Sequence, residues 1–101
     1  SKRVGINYDS GNSASLGYNL KEELKYFKYV KNFHIKDRRY KGKTVRLGQG
    51  NANLREVLMY MKKIRYQNNF ILQTARSKKK QHEKELNINR NYIFNLNIWK
   101  I

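Results

Sequence analysis

Cysteine and proline are both absent from this 101-residue sequence, and aspartate and glutamate together number only seven. Without cysteine there is no disulfide, no thiolate metal site and no cysteine nucleophile. Without proline there is no prolyl turn or kink. No apolar run approaches the roughly 18 residues that a membrane span needs, and no signal-like stretch opens the chain. A cytoplasmic location without a membrane partner is therefore expected. Apolar residues are scarce as well, at 39% with a mean hydropathy of −0.96, too few for a large core from this chain alone. A mass of 12.2 kDa allows one domain or part of one. Residue 1 is serine, not methionine, and by Val4 the sequence already reads as a strand. It is expected to be a piece of something longer.

What the chain has in excess is positive charge: 23 Lys and Arg give a formal net charge of +16. Clustered cations bind phosphate backbones by counterion release, so a polyanionic partner has to be weighed. Against it, 15 lysines stand among 13 asparagines, eight isoleucines and eight tyrosines, a mixture that follows from AT-rich coding. The cations are also spread over helix faces and helix ends, where solvated lysines belong. No helix-turn-helix, RNA-recognition or zinc-finger pattern matches. Nucleic-acid binding ranks well below composition and solvation.

Residues 4–9 (VGINYD) alternate, with Val4, Ile6 and Tyr8 on one face and Gly5, Asn7 and Asp9 on the other, as a half-buried strand does. Residues 11–19, rich in Gly, Ser and Asn, read as a loop. Asn19 is placed to cap a helix with Glu22 and Glu23 in its first turn and Leu20, Leu24 and Phe27 along it. Residues 32–37 (NFHIKD) predict a second strand, and residues 38–51 a basic loop carrying LGQG. Asn53, with Glu56 three residues later, is the expected cap of a helix whose stripe is Leu54, Val57, Leu58, Met61 and Ile64. A third strand falls over about residues 69–74, and a charged, asparagine-rich helix is expected from Ser77. The order β-α-β-α-β-α implies a single α/β domain over residues 1–101 with parallel strands and helices outside. A Rossmann-type sheet and part of a barrel both fit. The dinucleotide glycine fingerprint is missing, because residues 48–53 (GQGNAN) follow a loop and lack the third glycine.

Polar residues fall at the strand ends. Asp9, His34 and Gln73 each lie opposite their strand's apolar set and near its C-terminal end, the end at which β/α barrels build active sites. A carboxylate, an imidazole and an amide oxygen there can bind Mn²⁺, Mg²⁺, Co²⁺ or Zn²⁺. Taken singly, each has an ordinary structural reading: a strand-end Asp caps the next segment, a lone His is a satisfied imidazole, and a strand-end Gln is polar surface. Their shared face is what raises them above it.

GINYDSGN at 5–12, FHIKD at 33–37, LGQGN at 47–51 and FILQTAR at 70–76 together resemble the C-terminal third of a sugar phosphate isomerase/epimerase. This is the xylose isomerase-like TIM-barrel family, and the resemblance covers essentially all of residues 4–76. It implies a partial (β/α)8 barrel made of the last three β/α units, strands six to eight. In that family a Glu, an Asp, a His and a second Glu on strands five to eight hold one divalent metal. Asp9 matches the Asp and His34 the His; Gln73 stands at the last Glu, and the strand-five Glu has no counterpart. Asn12, Lys36, Arg46 and Arg76 are the implied substrate contacts, Arg46 toward a phosphate, with residues 48–53 at the rim of the pocket. The implied reaction moves a proton beside a carbonyl of a sugar or sugar phosphate through a cis-enediolate. Because Gln73 takes no proton, two-base epimerisation is not expected, and a one-base aldose–ketose isomerisation or a lyase or dehydratase variant stays open. With one acidic ligand and five strands missing, this segment is not expected to catalyse by itself, and its first partner would be the preceding part of the barrel. Self-association is left open. A sugar-binding descendant that has lost its base is the alternative, and a basic nucleic-acid-binding protein ranks below both.

Overall fold

In the computed structural model, which describes residues 5–74 and 81–98, the alternating segments form a sheet with helices against one face. Three strands pair side by side in the order β1 (Ile6–Asp9), β2 (Val30–Ile35) and β5 (Asn69–Leu72). Both pairings are parallel. In-register pairing stacks Tyr8, Phe33 and Phe70 in one row, with ring centroids 5.1 and 5.4 Å apart. Phe27 closes on this row at 4.7 Å from Tyr8. A β-bulge between Ile6 and Asn7 pairs Ile6 with Val30 and Asn7 with Asn32. The skipped residue, Lys31, explains how Val30 and Phe33, three apart, are both buried.

The helix predicted by the apolar stripe is α3 (Leu54–Lys63), and it buries Leu54, Val57, Leu58 and Met61. Its entry differs from the expected capping box. Asn53 holds the cap position with φ 51° and makes no side-chain cap bond, so its left-handed backbone, which Asn tolerates, sets the turn instead. Asn19 does cap α2 (Leu20–Leu24), accepting from the Lys21 N–H at 2.9 Å. That helix stops short and gives way to a 3₁₀ turn at Phe27–Tyr29.

The predicted loop at 11–19 is mostly helix, α1 (Ser10–Leu16). Asp9 caps it through the Asn12 N–H at 2.8 Å, and Gly17 ends it at φ 74°. Its buried residues are Gly11 and three serines, Ser10, Ser13 and Ser15, whose hydroxyls find acceptors at Lys36 O, Glu23 Oε1 and Gly42 O. Small, satisfied serines permit close packing yet read as polar in a pattern of residues. The basic stretch 38–51 also carries structure, since β3 (Asp37–Arg38) and β4 (Thr44–Val45) form a short antiparallel ribbon. Strand two thus starts and ends earlier than expected. The last helix, α4, runs His82–Asn95.

Candidate functional site

The sheet face away from the helices carries two polar rows. Asn7, Asn32 and Asn69 are in register, and Asn32 Nδ2 donates to Asn7 Oδ1 at 2.9 Å. Nearer the C-terminal ends, Asp9 pairs with His34 and His34 with Ile71. Adjacent strands lie about 4.8 Å apart, so the carboxylate-bearing and imidazole-bearing residues are immediate neighbours. One Asp9 oxygen is engaged as the α1 cap. His34 Nδ1 is buried and has no hydrogen-bond partner among the described residues, a condition that costs about 1–3 kcal/mol unless something meets it.

Ser10 staples this end of the sheet. Its hydroxyl donates to Lys36 O at 2.6 Å and accepts from the Lys36 N–H at 3.0 Å. A β-carbon on Gly11 would lie 2.7 Å from Lys36 Cγ, so glycine is what lets the first turn of α1 approach. Lys36 is thereby fixed two residues past His34, just beyond the end of β2.

The other predicted residues are more dispersed. Ile71, not Gln73, completes the Asp9–His34 row. Gln73 is two residues further on, about 6.6 Å along the chain, exposed and held by its N–H to Ile35 O at 3.0 Å. Asn12 sits on the first turn of α1 with its Oδ1 accepting from Arg38 Nη1 at 3.0 Å. Arg38 itself grips Gly42 O through Nε and Nη2. Arg46, the implied phosphate contact, is engaged by a carboxylate of this chain. It forms an ion pair at 2.6 Å with Glu85 of α4, which holds the Glu85 carboxyl below the usual range and raises the guanidinium further. Arg76 lies outside the described residues.

The glycine loop is organised by a residue to which the sequence assigned no role. Asp37, 1% exposed, accepts from Gly48 N–H at 2.8 Å, Gly50 N–H at 3.0 Å and Ala52 N–H at 3.1 Å. A β-carbon at Gly50 would strike this carboxylate, and one at Gly48 (φ 91°) the ring of Tyr92. The loop folds toward the helix layer, where with α3 it borders an open concavity of about 750 Å³. Asp9, His34 and Gln73 are not among that concavity's walls. The only signal that could have found Asp37 is its odd position: a charged residue in phase with Phe33 and Ile35.

Among the described residues no group of three or more His, Cys, Asp or Glu could hold a metal ion. None of their helices is long and apolar enough to cross a membrane. Burial pushes the Tyr8 hydroxyl, which donates to Glu23 Oε1 at 3.2 Å, well above its ordinary range.

Three adjacent parallel strands, linked through helices on one face and polar at their C-terminal ends, define part of a β/α barrel. The chain belongs to the xylose isomerase-like TIM barrel family, whose model matches residues 1–93. The crystal structure of a xylose isomerase domain protein from Planctomyces limnophilus superposes with a TM-score of 0.79 at 23% identity. The match covers 95% of this chain and 38% of that one, so the chain spans well under half of its neighbour's length. None of the curated proteins matches.

Proposed function

We propose that the chain supplies the Asp-bearing and His-bearing strands of a divalent-metal-dependent sugar or sugar-phosphate isomerase or epimerase, as the last three strands of its barrel. The observation that supports this most is the pairing of Asp9 with His34 at the ends of adjacent parallel strands, with a buried imidazole nitrogen that has no partner among the described residues. The donor set fits: a carboxylate oxygen and an imidazole nitrogen suit Mn²⁺, Co²⁺ or Zn²⁺, and the amide oxygen of Gln73 can join them. When bound, the cation supplies positive charge against the enediolate formed by proton transfer beside a carbonyl. Lys36 and Asn12, at the same strand ends, bind and orient substrate oxygens. Gln73 holds no proton to exchange, so the base comes from outside this segment.

The test is Mn²⁺ binding followed by electron spin resonance in the protein that carries this chain, together with isomerisation of aldose and ketose phosphates. Asp9→Asn and His34→Ala should each weaken Mn²⁺ about 10-fold or more and abolish turnover. Unchanged affinity in both variants would overturn the proposal. The exposed, non-ionising Gln73 favours a second reading, a sugar-binding barrel without catalysis. Metal binding without turnover on any sugar phosphate selects it.

A further inference from the structure

The connections that enter β2 and β5 meet at the sheet's other pole, away from Asp9 and His34. Residues 25–31 (KYFKYVK) and 62–69 (KKIRYQNN) hold six cations and no carboxylate. They form one surface. The Tyr66 hydroxyl donates to Lys31 O and Asn69 O, at 3.2 and 2.7 Å, and Asn68 Nδ2 reaches Val30 O at 3.2 Å. Lys25, Lys28, Lys31, Lys62, Lys63 and Arg65 are all exposed. None forms an ion pair with a described residue, although Lys62 Nζ donates to Ile98 O at 2.6 Å. Between them Tyr26 and Tyr29 stand 53% and 50% exposed, with Lys25 Nζ and Lys28 Nζ 5.4 and 5.1 Å from the respective ring centroids.

Arg65 is the most telling member. It occupies the position after the α3 cap, in the left-handed region at φ 58°. The closing bonds there, Arg65 N–H to Lys62 O and Tyr66 N–H to Met61 O, each 3.0 Å, make a turn that glycine fits without strain. An arginine keeps the strain and gains no partner for its guanidinium among the described residues.

We propose that this pole binds single-stranded nucleic acid, its cations tracking the phosphates and Tyr26 and Tyr29 stacking on bases. Cations beside accessible aromatic rings are the combination such surfaces use. An anionic membrane fits less well, because among the large aliphatic side chains left exposed only Ile6 and Met59 border this pole, while Leu16, Ile71 and Leu86 belong to other segments.

The experiment is fluorescence anisotropy of a labelled 20-nucleotide oligouridylate against the full chain, titrated with salt. Affinity should fall log-linearly with salt. Replacing Lys28, Lys63 and Arg65 (Lys28→Gln, Lys63→Gln, Arg65→Gly) should reduce the slope by about 2 and the affinity at 0.1 M salt by about a hundredfold. Tyr26→Leu with Tyr29→Leu should weaken binding about fivefold or more and leave the slope unchanged. Arg65→Gly alone should weaken binding yet raise the unfolding midpoint, which a purely structural arginine would not do. The control triple Arg39→Gln, Lys41→Gln, Lys43→Gln removes the same charge elsewhere and should leave affinity within about twofold. Equal loss in the control, no binding at 50 mM salt, or capture by phosphatidylserine vesicles without oligonucleotide binding would each overturn the proposal.

Discussion

Replacing Asp37 by asparagine keeps the shape of a buried side chain and removes half its capacity to accept. In the native loop, Oδ2 takes the N–H groups of Gly48 and Gly50, and Oδ1 takes that of Ala52. An amide turned so that its oxygen serves the two glycines points its NH₂ at the Ala52 N–H, donor against donor. Ala52 is 7% exposed, so water offers little relief. One unsatisfied buried donor costs about 1–3 kcal/mol, and the two surviving bonds lose their charge assistance, so Asp37→Asn should cost about 2–4 kcal/mol in all. Turning the amide the other way strands two donors and is worse. Relief from burying a charge offsets part of this, which is why the lower bound is not higher. Against a domain stability of about 5–15 kcal/mol, the loss moves a urea midpoint plainly. If Asp37→Asn unfolds within about 0.5 kcal/mol of the parent, the carboxylate does not hold the loop in the way these bonds imply.

Three further outcomes are expected. Ser10→Ala removes the staple between β1 and β2, leaving the Lys36 N–H without its acceptor, and should cost about 1–3 kcal/mol by urea denaturation; an unchanged midpoint would refute the role given to that hydroxyl. Tyr8 has its pKa raised in the fold by burial, so its contribution is fully present below about pH 10, the unfolded value, and is lost as pH climbs from there toward the folded one. Tyr8→Phe should flatten that alkaline decline, as read from thermal midpoints between pH 8 and 11, and an identical decline would reject burial as its cause. Glu85 is shifted the other way by Arg46, so its contribution is present above the ordinary glutamate range and lost as pH falls through the lowered value; Glu85→Gln should erase that acid step, and salt should shrink it, since the pair is exposed.

The parts of the fold legible from residues were those written as periodic apolar spacing. Leu54, Val57, Leu58 and Met61 announce α3, and alternation around Tyr8 and Phe33 places Asp9 and His34 on one face. Helix α1 was hidden because its buried face is serine, and serine joins a core only when a distant acceptor such as Lys36 O waits for it. Long-range polar bonds were equally invisible: Arg46 and Glu85 are 39 residues apart, and the partners of Asp37 are backbone groups that carry no residue signature. Asn89 is the sharpest case. In the sequence it is one of several asparagines along a charged helix, yet it is 1% exposed, accepting from the Leu47 N–H at 2.8 Å and donating to Glu85 O at 2.7 Å.

That asparagine makes α4 a different kind of element from α3. Where α3 buries four apolar side chains, α4 buries Asn89 alone; Tyr92, Ile93 and Leu96 pack only partly against the core. A helix fastened by a few polar bonds detaches as a unit at a free energy below that of global unfolding. Amide exchange in α4 should then run ahead of exchange in β2, with protease cleavage favoured along 82–95. Each such opening also frees the Leu47 N–H and uncovers Gly48 from the Tyr92 ring, so the glycine loop breathes in step with the last helix while the three strands beneath it stay closed.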